Sequence, residues 1–313
     1  MARRLYIPKK VIESISSHVD QSIDQAIEGF WSANEDEDTL TGHLGACLRT
    51  GSHRVEVERD QKEEIFGTWR WSIDYAKFRG RGRQSTESVI GADGILELKL
   101  EFGQRTDTKS MLFQSKLDWS NDADLVNQSL LLSTWREAAI IINYTPTSFE
   151  VFSIDDVISS RGNKSEAKND IDLKNAINEF FLQCEIGNTD LTYDARSRRL
   201  AWRSDTGIIV ATQFSIPNRI RVNVKAPKYS DDFRYDKMIS LQEIHTHRMQ
   251  VDYEEIFYPL LSHQKVEPKK QKKVMSLSYH PDRFSTYDNL FQDIANKRMQ
   301  EINSAFEKIK VKK

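Results

Sequence analysis

Three side chains of this sequence can converge on a phosphate: Asp93, Gln114 and Lys116. They lie within residues 87–119, ESVIGADGILELKLEFGQRTDTKSMLFQSKLDW. Successive side chains of a strand point to opposite sides, and this sorts the faces. On the first apolar run Asp93, Ile95, Glu97, Lys99 and Glu101 share one face, while Leu96, Leu98, Leu100 and Phe102 share the other. On the second run Leu112, Gln114 and Lys116 point the same way, so Gln114 and Lys116 reach Asp93 if the two runs pair. Mg²⁺ or Mn²⁺ wants hard oxygen ligands; Asp93 offers a charged oxygen and the Gln114 amide a neutral one. Such an ion polarises a phosphate oxygen and acidifies a water. Lys116 would orient or deprotonate that water, or steady the charge that builds on the phosphorane. Gly91 and Gly94 flank Asp93 and allow close approach of backbone or ligand.

These residues need a frame. Ile7, Val11, Ile15, Val19, Ile23 and Ile27 recur at helical spacing over residues 8–31. The acidic run 34–38 reads as a break and a fresh N-cap, with a second helix over 39–48. Glu37 precedes Leu40 and Leu44 by three and seven residues, which places it near the packed face and makes it the chosen further metal acid. Glu35 and Asp38 are its alternatives. Strand-like alternation over 53–75, the pair at 93–117, an Asp-capped helix at 122–137 and apolar strands at 138–144 and 149–152 follow. The order predicts an α/β fold, a mixed sheet flanked by helices. The expected division is a core over 1–158, a β-rich extension over 159–236 and a helical domain over 237–313. Strand candidates in the extension are 190–203, 207–214 and 219–225.

Composition bounds the partners. Of 313 residues, 38% are hydrophobic and 29% charged, enough apolar material for a core. A net charge of −2 excludes a polycation, so any nucleic-acid contact must come from a local patch. Arg79, Arg81 and Arg83, interleaved with glycines, suit a phosphate backbone; a plain basic loop fits equally. Arg196, Arg198, Arg199, Arg203, Arg219 and Arg221 read as a solvated face of the β-rich middle. Cys47 and Cys184 stand far apart, which argues against a disulfide framework or a Cys-based zinc site and for a reducing, cytoplasmic setting. No run reaches the length of a membrane span, and the basic first residues lack the apolar core of a signal peptide.

Taken with their elements, Gly91-Ala92-Asp93-Gly94 before a strand and Gln114-Ser115-Lys116 on the next resemble the PD-(D/E)XK nuclease superfamily. The variant is the one in which Gln replaces the second acid, as in Mrr-like restriction enzymes. The resemblance covers roughly residues 30–155, and Ala92 stands where the strict motif has proline. It implies a restriction-endonuclease-like core with Asp93 and Gln114 as metal ligands, Lys116 as catalytic lysine and Glu37 as the helix acid. It further implies Mg²⁺-dependent cleavage of DNA, with RNA not excluded, in restriction or anti-phage defence. Double-strand cutting would favour a homodimer.

The C-terminal segment carries a second signature. A basic helix with Lys269, Lys270, Lys272 and Lys273 leads into Tyr279-His280-Pro281-Asp282-Arg283, and a helix striped with Ile294, Met299, Ile302, Ala305, Phe306 and Ile309 follows. Pro281 fixes the turn and leaves His280 and Asp282 at its tip. This arrangement resembles a J-domain, the module of DnaJ-type co-chaperones, with residues 252–257 standing for its first helix. The resemblance implies that the lysines and His280-Pro281-Asp282 dock on a seventy-kilodalton heat-shock chaperone; another defence subunit is the alternative partner. Charge complementarity would drive the docking. The rival to a nuclease is a non-enzymatic J-domain co-chaperone or adaptor, whose α/β part only binds a client or nucleic acid.

Overall fold

A computed structural model describes residues 7–30, 36–59, 66–78, 91–167, 170–189, 191–194, 196–197, 199–203, 209–228, 261, 267–285 and 289–311. Arg79, Arg81, Arg83, Glu35 and the stretch 252–257 lie outside them.

Helix α1 (Lys9–Phe30) buries Val11, Ile15, Val19, Ile23 and Ala26, the stripe that helical spacing demands. Helix α2 (Glu37–Leu48) starts at Asp36, whose carboxylate accepts the Thr39 N–H at 2.8 Å, and buries Leu40, Leu44 and Leu48. Both helices cover one face of a mixed eight-stranded sheet. Its strands are β1 (Thr50–Val57), β2 (Gly67–Lys77), β3 (Gly94–Phe102), β4 (Arg105–Leu117), β5 (Ala139–Tyr144), β6 (Phe149–Ser153), β7 (Ile171–Asp172) and β11 (Asn218–Lys225). They lie in the order β1-β2-β11-β3-β4-β5-β6-β7. A smaller antiparallel sheet holds β8 (Leu191–Asp194), β9 (Arg199–Arg203) and β10 (Ile209–Ser215).

The chain is thus α/β with a mixed sheet, as expected. β3 and β4 pair antiparallel, with Gly94 opposite Phe113 and Ile95 opposite Leu112. Leu96, Leu98, Leu100, Met111 and Phe113 pack under α1 and α2, while Ile95, Leu112 and Ile141 pack on the far side. Helices α3 (Ala123–Leu132) and α4 (Ile154–Ser159) cover that far side. Strand β11, which in sequence groups with the β-rich extension, runs inside the main sheet instead. It is antiparallel to β2 and parallel to β3.

Two of the arginines expected on a solvated face are on β11 and are engaged. Arg219 Nε and Arg221 Nε lie 2.6 and 3.1 Å from Glu97 Oε2. Glu97 Oε1 accepts the Tyr193 N–H at 3.0 Å, and the Arg219 guanidinium sits 4.8 Å from the centre of the Tyr193 ring. Burial pushes the Glu97 carboxyl up, and Arg221 and the Tyr193 N–H offset part of that. The knot clasps the small sheet to the large one.

Helices α5 (Pro268–Ser278) and α6 (Asn289–Val311), joined through a short turn at Pro281–Phe284, pack on α3 and α4. Met275, Tyr279, Phe284, Ala295, Ile302 and Phe306 share the core cluster of those helices. Tyr279 OH donates to Asp155 Oδ1 at 2.6 Å, and Asp155 Oδ2 pairs with the buried Arg136 at 2.5 Å. Arg283, in the turn, bonds the Leu277 and Ser278 carbonyls at the end of α5 and the Ile158 carbonyl of α4. His280 and Asp282 stay exposed, as do Lys269, Lys270 and Lys273. Lys272 lies over the Phe306 ring at 4.2 Å.

Gly94 begins the strand that carries the site. A Cβ there would come within 2.0 Å of the Phe113 ring. Gly94→Ala is expected to cost roughly 1–3 kcal/mol through overpacking. A lower urea midpoint at unchanged slope is the measurement that checks it.

Candidate active site

Asp93 stands at the open end of β3 and is held from both sides. Its N–H donates to the Phe113 carbonyl at 2.8 Å, and its carbonyl accepts from Asn218 N at 3.2 Å and Asn218 Nδ2 at 3.1 Å. Its carboxylate Oδ2 accepts Ser115 N at 2.8 Å and Ser115 Oγ at 2.6 Å. Gly91, two residues earlier, adopts φ +68° with its Cα against α3; a Cβ would sit 2.4 Å from the Gln128 carbonyl oxygen. Only glycine tolerates both conditions.

The β3–β4 pairing starts at Gly94 and Phe113; Asp93 precedes it, and Gln114 follows Phe113 on β4 beside Ile141 of β5. Gln114 is fully buried. Its Nε2 donates to the Ser115 carbonyl at 3.3 Å, which fixes the amide orientation, since the flipped form would set two oxygens together. The other end, Oε1, is buried with no hydrogen-bond partner among the described residues. An acceptor left this way costs about 1–3 kcal/mol, so it calls for a donor or a cation.

Lys116 Nζ lies 3.0 Å from Asp122 Oδ2. Burial pulls the Lys116 pKa down, but the bond to Asp122 and the charges of Asp122, Glu37 and Asp93 outweigh it and hold the group above the ordinary lysine range. A lysine held protonated is a fixed positive charge. Of the roles its chemistry allows, orienting the water and steadying negative charge therefore fit and deprotonating water does not.

Glu37 opens α2, and its Oε1 accepts the Leu117 N–H at 3.1 Å, one residue past Lys116. Asp38 pairs instead with Lys77 at 2.8 Å. Glu37 is thus the acid that α2 turns toward the end of β4. Asp122 is the residue that sequence inspection passed over. Its Oδ1 caps α3 through the Leu125 N–H at 2.9 Å, and its second oxygen takes Lys116. A cap explains it so fully in sequence that no further role is sought.

Asp93, Glu37 and the Gln114 amide each carry oxygen donors of the kind hard divalent cations take. Gln114 Oε1 is one of nine buried polar side-chain atoms without a hydrogen-bond partner among the described residues. Among the described residues no three His, Cys, Asp or Glu side chains gather to hold an ion. The arginine-bearing segment leaves the sheet after Phe78, whose N–H donates to Pro217 at 2.6 Å, and the chain re-enters at Gly91. Both points lie at the Asp93 end of the sheet, where Lys77 faces Asn218 and Asn218 faces Gly94.

No protein-family model, curated protein or solved structure matches this chain.

The ion pair predicts a pH dependence. Lys116 has a raised folded pKa, so its contribution is complete below the ordinary value of 10.5 and is lost as pH rises through the folded value. The Asp122 carboxyl is raised by burial but more strongly lowered by the Leu125 N–H and Lys116; its contribution is present above 3.8 and is lost as pH falls through its folded value. Asp122→Asn keeps a good cap and removes the charge. The variant should be less stable by roughly 1.5 kcal/mol at neutral pH. Thermal melts from pH 3 to pH 11 should show that difference closing at both ends.

Proposed function

We propose that this chain is a divalent-metal-dependent nuclease with a restriction-endonuclease-like core, hydrolysing phosphodiester bonds in DNA in a restriction or defence role. The buried, unpartnered amide oxygen of Gln114, next in sequence to the Ser115 that holds the Asp93 carboxylate, carries the reading. Asp93, Glu37 and Gln114 would hold Mg²⁺ or Mn²⁺, which would supply Lewis acidity at the phosphate and acidity to the attacking water. Lys116, kept protonated, lies beside those carboxylates and stabilises the extra negative charge of the pentacovalent transition state. Asp122 aims the ammonium and limits its motion. Arg79, Arg81 and Arg83 contribute phosphate contacts that position the substrate without reading its sequence. Cutting both strands of a duplex calls for two such sites, hence a homodimer.

The C-terminal helices serve as a J-like docking module. The exposed Lys269, Lys270 and Lys273 beside His280 and Asp282 support docking on an acidic partner surface, that of a seventy-kilodalton heat-shock chaperone or a defence subunit.

Purified full-length protein, incubated with single- and double-stranded DNA and with RNA in Mg²⁺, Mn²⁺ or EDTA, tests the nuclease assignment. Divalent-dependent cleavage of DNA is expected. Absence of cleavage on every substrate would leave the adaptor function, for which stimulation of a chaperone ATPase, lost in His280→Gln, is the corresponding assay.

A further inference from the structure

Behind Asp93 lies a chain of hydroxyls inside an otherwise apolar layer. Ser115 Oγ donates to Asp93 Oδ2 at 2.6 Å. Thr41 Oγ1, from α2, lies 3.2 Å from Ser115 Oγ and 2.9 Å from the Glu37 carbonyl oxygen, and its single proton serves those two acceptors. Tyr144 OH, from β5, lies 3.1 Å from Thr41 Oγ1 and is left as the donor in that pair. All three side chains are buried, and Tyr144 shares a core cluster with Leu96, Leu98, Phe113 and Ile142. A buried hydroxyl costs stability unless bonded, and apolar groups of the same shape would serve packing as well. The protons run one way, from Tyr144 to Thr41 to Ser115, and end on a carboxylate.

We propose that Ser115, Thr41 and Tyr144 are positioning residues for metal binding: their hydroxyl chain fixes the Asp93 carboxylate and ties it to the Glu37 turn of α2. The inference rests on the nuclease reading, since it assigns the chain to the metal acids of that site. Its geometric content is a link between the Asp93 carboxylate and the first turn of α2: Thr41 bonds the backbone carbonyl of Glu37 while its hydroxyl reaches the Ser115 that holds Asp93. Burial pushes the Tyr144 phenol well above its usual range, which keeps it a donor at every working pH. Partners behind a ligating group orient it, and their loss weakens metal affinity by about 10–100-fold.

The test is Mn²⁺ affinity, read by electron paramagnetic resonance of the full chain without substrate. Thr41→Val and Ser115→Ala should each bind Mn²⁺ about 10–100-fold more weakly than wild type. Thr41→Ser, which keeps the hydroxyl, should bind nearly as wild type. Circular dichroism melts show which variants fold. If Thr41→Val does not fold, Ser115→Ala, which retains the backbone N–H bond to Asp93, and Tyr144→Phe carry the measurement. Wild-type affinity in folded Ser115→Ala and Tyr144→Phe, with binding lost in Asp93→Asn, overturns the chain and leaves the nuclease site standing. Equal weakening in Thr41→Ser and Thr41→Val also overturns it, because packing rather than the hydroxyl would be at work. A wild-type protein that binds no Mn²⁺ removes both proposals together.

Discussion

Asp93→Asn is expected to give a folded protein that has lost divalent-dependent cleavage by about 10³-fold, the several kcal/mol a Lewis-acid ion supplies taken at ~1.4 kcal/mol per tenfold. The fold should survive for a specific reason. The backbone of Asp93 makes the bonds to Phe113 and Asn218, and an asparagine oxygen can still accept from Ser115 N and Oγ. Only the charge is lost. Melting temperature should therefore stay near wild type while the turnover number collapses, and DNA retention in a gel-shift assay should persist. An Asp93→Asn protein that cleaves at the wild-type rate would mean that the metal, if any, sits elsewhere.

The second large effect is on stability. Arg136 is 2% exposed and is paired through Nε with Asp155, whose other oxygen takes the buried Tyr279 hydroxyl. Arg136→Ala leaves that carboxylate uncompensated in a closed layer, and breaking a buried pair from one side costs about 3–5 kcal/mol. At about 2–4 °C per kcal/mol the melting temperature should fall by roughly 10 °C. Replacing both partners, Arg136→Leu with Asp155→Leu, should recover much of the loss, since the charge no longer needs a partner. Tyr279 anchors the C-terminal hairpin on Asp155, so limited proteolysis of Arg136→Ala should cut near 278–285 sooner than in wild type. A single change within 1 kcal/mol of wild type would show that water or another donor already satisfies Asp155.

Local pattern carried much of this. Alternation sets Gln114 and Lys116 on one face of β4, and the spacing of Leu40, Leu44 and Leu48 orients α2 with Glu37 at its start, but Asp93 precedes the paired run and directs its carboxylate to Ser115, whose hydroxyl faces α2. Pairing partners are another matter. Asn218–Lys225 has the alternation of many strands, and nothing in it names β2 and β3 as its neighbours 125 residues from Asp93. Glu97 sits on the polar face of β3, as alternation requires, yet is buried because arginines from that distant strand cover it. The stretch 190–203 reads as one strand but forms two, β8 and β9. Asp194 turns the chain by accepting the N–H groups of Arg196 and Ser197, and an Asp with a Ser three residues on is a legible turn signal. Ser115, Thr41 and Tyr144 gave no signal, since isolated hydroxyls on an apolar stripe are ordinary in sequence and acquire meaning only through contact.

The placement of β11 has a further consequence for how the protein is made. As the polypeptide emerges from a ribosome, β2 and β3 are both complete long before Asn218 appears, and the slot between them is empty. Each then shows a bare ladder edge, the kind of surface that invites pairing with another chain. The sheet is sealed only by a late, long-range insertion, which is slow to form. A gene fragment ending before residue 218 would therefore yield two half-sheets with the Asp93 strand on an open seam.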